Sequence, residues 1–275
     1  MNSQKAFNIK AKVLSNKNLG SHYWHCSLRA PEIARRASAG QFVDIRLSGD
    51  YQPFLRRPFS IHSVDGPDVE ILYEALGKGT EIFSRKKTGE FLDVIGPLGN
   101  GFDYGVSKGQ RVKVSVLVAG GMGVAPLVFL AEKLAKLKNQ NPKLKTLALI
   151  GGRKKSHILC TDEFKRAGCG VIISTDDGSV GAKGRVTNLL ENVLRKTKGP
   201  EGAMIFACGP KPMLKGVATI AEKFSVAAQL SLEAHMACGI GACLGCVVDT
   251  IDGYKRVCKE GPVFRANQII WGKEQ

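Results

Sequence analysis

The sequence predicts a multidomain β plus α/β protein. It has an antiparallel β-barrel, a doubly wound parallel-sheet unit and a small C-terminal segment. Three observations carry that reading. Short apolar runs broken by Gly, Pro and Asp fill residues 1–105. Apolar strand runs alternate with helical patterns over residues 106–228. That rhythm stops over residues 229–275, where four of the eight cysteines gather.

In the first segment, Phe7–Leu14, Tyr23–Leu28, Phe42–Leu47, Phe59–His62 and Val69–Tyr73 read as strands. Several short strands at such spacing suggest a small antiparallel barrel. In the second segment, Val112–Ala119 is a nearly continuous apolar run. It leads through a glycine turn into a helical pattern at Leu127, Leu130, Ala131, Leu134 and Leu137. Further strand runs come at Thr146–Ile150, Val171–Ser174 and Ala203–Ala207, with a helical pattern at Asn188–Lys196. Strands alternating with helices imply a parallel sheet covered on both faces.

Composition bounds the function. The chain has 275 residues, enough for two or three small cores. No apolar run approaches the roughly 18 residues of a membrane span, and Met1–Lys5 precede no apolar signal core, so the expected compartment is the cytoplasm. That compartment keeps thiols reduced, so clustered cysteines point to metal ligation and not to disulfides. Cys26, Cys160 and Cys169 read as buried, inert thiols. The formal charge of +16 arises from 40 Lys and Arg against 24 Asp and Glu. The basic residues are dispersed, their longest clusters being Arg85–Lys87 and Arg153–Lys155, and no nucleic-acid recognition motif accompanies them. A solvated basic face is the simpler reading; an anionic cofactor or an acidic partner is the functional one.

Cys238, Cys243 and Cys246 form Cys-x4-Cys-x2-Cys, the first three ligand positions of a plant-type 2Fe–2S loop. Cys258 is the fourth expected ligand. Soft thiolates hold iron, and Gly239, Gly241 and Gly245 let backbone N–H groups approach the sulfurs. A four-cysteine zinc site needs the same number of thiolates, but zinc ribbons favour two Cys-x2-Cys knuckles and this segment has one. A Rieske centre needs two histidines, and only His235 is near.

Gly120-Gly121-Met122-Gly123 closes a strand and opens a helix with Pro126 in its first turn. Such a loop lets backbone approach a pyrophosphate facing a helix N-terminus, although a plain strand-to-helix turn has the same residues. Cys208-Gly209-Pro210 follows another strand, so both loops fall at strand carboxyl ends, where open parallel sheets bind dinucleotides. Asp176, within Thr175–Ser179, could accept a ribose hydroxyl and would favour NAD over NADP; ordinary turn chemistry is an equal reading. In the first segment, Arg57-Pro58-Phe59-Ser60 and Gly77-Lys78-Gly79-Thr80 stand out, and spacing alone reads them as ordinary turns.

The order of these motifs resembles the ferredoxin–NADP reductase superfamily. More narrowly, it resembles the electron-transfer subunits of NAD-dependent (type B) dihydroorotate dehydrogenases. The resemblance runs along essentially the whole chain. Besides the loops above it rests on Gly40–Phe42, Leu72-Tyr73-Glu74 and Gly96-Pro97-Leu98-Gly99-Asn100-Gly101-Phe102. It implies an FAD-binding barrel, an NAD-binding α/β domain and a 2Fe–2S domain. Arg57, Pro58, Phe59 and Ser60 would line the flavin, with Arg57 near its diphosphate and Ser60 near the isoalloxazine. Leu72, Tyr73 and Glu74 would flank it, Gly79 and Thr80 would hold its pyrophosphate, and Gly120, Gly121, Gly123 and Cys208 would face NAD. The implied partner is an FMN-containing catalytic subunit, in a heterotetramer of two chains of each kind. Electrons from dihydroorotate would cross the cluster to FAD and leave as hydride to NAD+, in pyrimidine biosynthesis. The chain is too short to hold a further barrel of about 250 residues, so the pyrimidine chemistry falls to that partner. Two other readings stay open: a related subunit serving ferredoxin or a sulfur acceptor, and a non-catalytic zinc-binding module. One departure is His235, where many members have arginine; an imidazole there would make the cluster potential pH-dependent.

Overall fold

The computed structural model describes residues 5–49, 52–104, 112–138, 142, 144–197 and 202–272. The first sheet holds β1 (Phe7–Gly20), β2 (Tyr23–Arg29), β3 (Phe42–Arg46), β4 (Arg57–Ser60), β5 (Ser63–Asp65), β6 (Asp68–Glu74) and β7 (Phe91–Leu98). Its order is β4-β3-β7-β1-β2-β6-β5, with antiparallel pairing throughout. Alternation places Ala11, Val13, Leu28, Ile45, Ile71 and Val94 in one core, each almost fully buried. Two short helices accompany the sheet, α1 (Pro31–Ala34) and α2 (Lys78–Ser84). Phe83 of α2 is fully buried; its ring stacks on Tyr73 with centroids 4.3 Å apart and meets Phe59 at 5.1 Å. Deleting such a ring costs about 3–5 kcal/mol.

The second sheet follows the doubly wound plan. Its strands are β8 (Val114–Gly120), β9 (Lys145–Gly152), β10 (Gly170–Thr175), β11 (Ala182–Lys183), β12 (Ala203–Cys208) and β13 (Ala227–Ser231). They run parallel in the order β11-β10-β9-β8-β12-β13. The helices are α3 (Val124–Lys138), α4 (Thr161–Arg166), α5 (Val186–Thr197) and α6 (Lys211–Lys223). The strand order reverses between β8 and β12, and a crevice opens at such a switch point. Helix α3 is buried from Val124 through Ala131 because it lies between this sheet and β5 and β6 of the barrel. A helix covered on both sides has to be apolar nearly all round.

The last segment carries a hairpin of β14 (Val247–Thr250) and β15 (Gly253–Arg256), then β16 (Val263–Arg265), which pairs antiparallel with β13. It also grips the barrel. Asn100 donates its backbone N–H to Gly261 O at 2.6 Å and its Nδ2 to Glu260 O at 2.9 Å. The Gly96–Phe102 motif is therefore a joint. Gly99 lies against Pro262 and Gly261, and Phe102 meets Phe206 of β12 edge-on at 5.7 Å.

The sequence reading names none of β5, β7, β11, β13, α1, α4, α6 or the strands after residue 245. β7 carries Gly96 and Pro97 near its end, which disguises it, and β5, β11, α1 and the strands after residue 245 are only two to four residues long. The division expected at 105/106 lies outside the described residues. The one expected after residue 228 falls inside β13, whose five residues all pair with β12, so the cysteine-bearing segment leaves the sheet after Ser231. Among the described residues no helix is long and apolar enough to cross a membrane.

Candidate functional site

The four expected metal ligands come together. They lie on a loop between β13 and β14, and just beyond β15. Cys246 and Cys258 are buried with sulfurs 3.2 Å apart, whereas Cys238 is half-buried and Cys243 exposed. Backbone N–H groups converge on the sulfurs. Ala242 and Cys243 donate to Cys238 Sγ at 3.2 and 3.4 Å, Gly245 to Cys243 Sγ at 3.4 Å, and Cys258 to Cys246 Sγ at 3.4 Å. Gly239 (φ 66°) and Gly241 (φ 85°) let the loop fold back; side chains rarely adopt these angles. An added Cβ at Gly239 would strike the Asp44 carboxylate, and one at Gly241 would lie 2.9 Å from Lys259 Cβ.

This donor set fits a binuclear cluster. Cys238 lies beside Cys243 and Cys246 beside Cys258, a two-and-two arrangement of thiolates that would suit two irons. In a tetrahedral zinc site all four sulfurs would be close neighbours. Among the described residues, however, the group of three or more candidate ligand atoms within 4.8 Å of one another is His62, Cys160 and Glu163, not the four cysteines. Burial alone would raise the Cys238 thiol, but N–H groups of Cys243, Ile240 and Ala242 outweigh it and bring it down to about 6. Burial, then the Cys246 sulfur, pushes Cys258 up to about 12, so the inner pair keeps a proton until metal displaces it. His235 is exposed beside the loop.

Beneath the loop, Asp44 of β3 is 1% exposed, and its Oδ1 has no hydrogen-bond partner among the described residues. Burial raises it to about 6, against the pull of Arg56 and Arg57. Arg256 braces the loop from the other side. Its Nη1 donates to Gly241 O at 2.7 Å and its Nε to Glu260 Oε2 at 3.0 Å.

On the barrel, Arg57 lies against Gly79, where an added Cβ would be 3.2 Å from Arg57 Nε. Lys78 Nζ donates to Gln52 Oε1 at 2.7 Å and joins the two loops. Phe54, Leu55 and Leu76, all exposed, flank this cradle. A cation beside a close backbone approach, with apolar side chains around it, suits a flavin dinucleotide. The sequence reading missed these three apolar residues, for which exposure is the signal and only the fold reveals it. The expected flavin-lining residues divide into inward and accessible side chains. Phe59 and Tyr73 turn into the core, with rings 5.7 Å apart, and Tyr73 Oη donates to Asn16 Oδ1 at 3.0 Å. Leu72 is buried as well. Thr80 Oγ1 accepts from Leu76 N and Gly77 N and donates to Gly77 O, so its hydroxyl shapes its own turn. Arg57, Pro58, Ser60 and Glu74 remain partly accessible.

In the α/β unit, Gly120–Gly123 and Cys208-Gly209 meet at the switch point. An added Cβ at Gly123 would fall on the Cys208 carbonyl and 2.8 Å from Gly209 N. The Cys208 thiol itself is buried and pushed up to about 12 by burial, so its backbone borders the crevice and its sulfur is inert. Asp176 is exposed at the end of β10, whereas Asp177 Oδ1 accepts from Ser179 N at 2.9 Å and closes the turn. A cavity of about 800 Å³ lies between α6, β13 and β16 around Val226, Gln229, Phe264 and Trp271. Neither the glycine loops nor the cysteines line it.

Residues 233–270 match the iron–sulfur cluster binding domain of dihydroorotate dehydrogenase B, and residues 117–219 match the oxidoreductase NAD-binding domain. The electron transfer subunit of dihydroorotate dehydrogenase B (NAD(+)) from Desulforamulus reducens is 41% identical over 269 residues, covering 95% of this chain and 97% of the relative. The chain belongs to that family. The subunit of the same name from Bacillus caldolyticus is 36% identical over 94% of this chain and 96% of its own length. Among solved structures, an NADH-dependent reduced ferredoxin-NADP oxidoreductase superposes with TM-score 0.81 at 27% identity, covering 98% of this chain and 92% of that one. A ferredoxin NADP+ reductase from Neisseria gonorrhoeae with bound FAD and NADP superposes with TM-score 0.64 at 17% identity, covering 79% and 91%, and shares the fold.

Proposed function

We propose that this chain is the electron-transfer subunit of a dihydroorotate dehydrogenase B, carrying electrons from an FMN-containing catalytic subunit to NAD+ in pyrimidine biosynthesis. One observation carries the reading: paired cysteine sulfurs open outward at Cys243, on a segment gripped by both the barrel and the α/β sheet. Ile240, Leu244 and Val247 form an exposed apolar rim around that opening, as a docking face for a partner requires.

When bound, the 2Fe–2S cluster supplies one-electron transfer, and FAD supplies the exchange between single electrons and the hydride taken by NAD+. Cys238, Cys243, Cys246 and Cys258 hold the cluster, and the N–H groups around them favour its negative charge. Arg57, with the backbone at Gly79 and Thr80, takes the flavin diphosphate, and Pro58, Ser60 and Glu74 border the flavin. Phe59, Leu72 and Tyr73 support those strands from within. Gly120, Gly121, Gly123 and the Cys208 backbone form the NAD crevice, and Asp176 is positioned for a ribose hydroxyl. The working units are an FAD barrel over 1–105, an NAD unit over 106–228 and a cluster unit over 229–275, the last leaving the sheet after Ser231. A cytoplasmic heterotetramer of two chains of each kind completes the reading.

Co-expression with the FMN-containing subunit tests it. A complex that reduces NAD+ on addition of dihydroorotate is the expected result. Native pull-down of a ferredoxin or sulfur-acceptor oxidoreductase, with no dihydroorotate-oxidising chain, would overturn it. The ferredoxin-linked structural relative makes that the second reading to test.

A further inference from the structure

We propose that His62, Cys160 and Glu163 form a second metal site, which binds a divalent cation of the zinc class between the barrel and the α/β unit. A ring nitrogen of His62, the Cys160 sulfur and a Glu163 carboxylate oxygen all lie within 4.8 Å of one another. Zinc bonds of about 2.0–2.3 Å put neighbouring tetrahedral ligands about 3.3–3.8 Å apart, so only a small closure is needed. Imidazole, thiolate and carboxylate together match zinc. Magnesium and calcium prefer oxygen alone.

The surroundings already orient the donors. His62 is 3% exposed, and its Nδ1 lies 3.2 Å from Ala125 O at the start of α3. A carbonyl only accepts, so Nδ1 carries the proton and Nε2 presents its lone pair. That is the tautomer of a metal-bound imidazole, with a backbone carbonyl as its outer partner. Cys160 holds φ 59°, an angle a side chain disfavours by about 1–2 kcal/mol, at the residue preceding α4. That turn brings its sulfur back toward Glu163 in the first turn of α4. Burial, then the Glu163 carboxylate, holds the metal-free thiol protonated; a metal would displace that proton. His25, edge-on to His62 at 5.6 Å, sits 3.4 Å from Glu70 and stands outside the donor set.

The three donors come from two units. His62 lies between β4 and β5 of the barrel, and Cys160 and Glu163 follow β9. A metal here fastens the two units that share the flavin and dinucleotide crevice. It leaves one coordination position for water and takes none of the cluster cysteines.

The test uses the full chain purified with its cluster and flavin from zinc-supplemented medium, then dialysed against micromolar zinc. Metal analysis should find about one zinc per chain beside the two irons of the cluster. Cys160→Ser, Glu163→Gln and His62→Gln should each lower zinc retention at least about tenfold, with iron content and visible spectrum unchanged. Cys160 and Glu163 are only half-buried, so their variants should fold even if the His62 variant does not. Iron-replete protein with only trace zinc would overturn the proposal. So would zinc that survives Cys160→Ser and Glu163→Gln, or zinc lost with Cys243→Ser.

Discussion

Gly123→Ala probes the nucleotide crevice through a single methyl group. The new Cβ would overlap the Cys208 carbonyl and approach Gly209 N to 2.8 Å. Carbon contacts are comfortable only from about 3.5 Å, so the β8 and β12 loops must part by about 1 Å. Both atoms it meets are backbone, so no rotamer change relieves the clash. Overpacking of this kind costs about 1–3 kcal/mol, and a 1 Å misplacement in a binding site costs about 100-fold in rate. A 100-fold loss of rate corresponds to about 2.7 kcal/mol of barrier. The expected result is a 30- to 100-fold fall (about 2–2.7 kcal/mol) in kcat/KM for NADH-driven reduction of an artificial dye. Flavin and iron content should hold, because Gly123 lies in neither the barrel nor the cysteine loop. A kcat/KM within about threefold of the parent, with the chain folded, would refute the assignment of the crevice to these two loops.

Three other outcomes follow from the same geometry. Cys243→Ser, at the exposed end of the cysteine loop, should abolish the 2Fe–2S spectrum yet leave NADH-driven dye reduction largely intact; loss of FAD with the iron would show the units to be inseparable. Asp44→Asn should stabilise the protein at pH 8 by an amount that vanishes near pH 4. The folded-state carboxyl titrates at about 6 against 3.8 unfolded, so its stabilising contribution is full below 3.8 and lost as pH rises through 6. That difference corresponds to about 3 kcal/mol, read from urea midpoints of parent and variant at the two pH values, and equal midpoints at pH 8 would contradict it. Arg256→Gln, which weakens the brace on Gly241 O, should speed chelator-driven bleaching of the cluster about tenfold, and an unchanged rate would count against the brace.

Much of the site was legible because its chemistry is local. The Cys-x4-Cys-x2-Cys spacing names its own ligands, and Gly120–Gly123 announces a strand-to-helix turn without reference to the rest of the chain. The barrel loops were not legible in the same way. Arg57 and Gly79 are 22 positions apart in sequence, and only the wrapping of the sheet sets one against the other. Phe59 and Tyr73 sat within motifs that suggested cofactor contact. Their side chains went to the core because strand alternation aims them at Phe83.

By itself the sequence determined the three textures, the order of the strands and helices it marks strongly, and the four cysteines expected to hold iron. Each of these rests on periodicity or on spacing along one short stretch of chain. Only the tertiary structure decided that the cysteines stand as two pairs, one buried and one facing out, and that β16 binds the cysteine-bearing segment to the α/β sheet. It also decided that Asp44 is sealed beneath Gly239, and that His62 reaches Cys160 and Glu163 from another unit. The last two join residues about 100 or more positions apart and the pairing of β16 with β13 spans more than 30, so burial and packing, not local pattern, fix which of them meet.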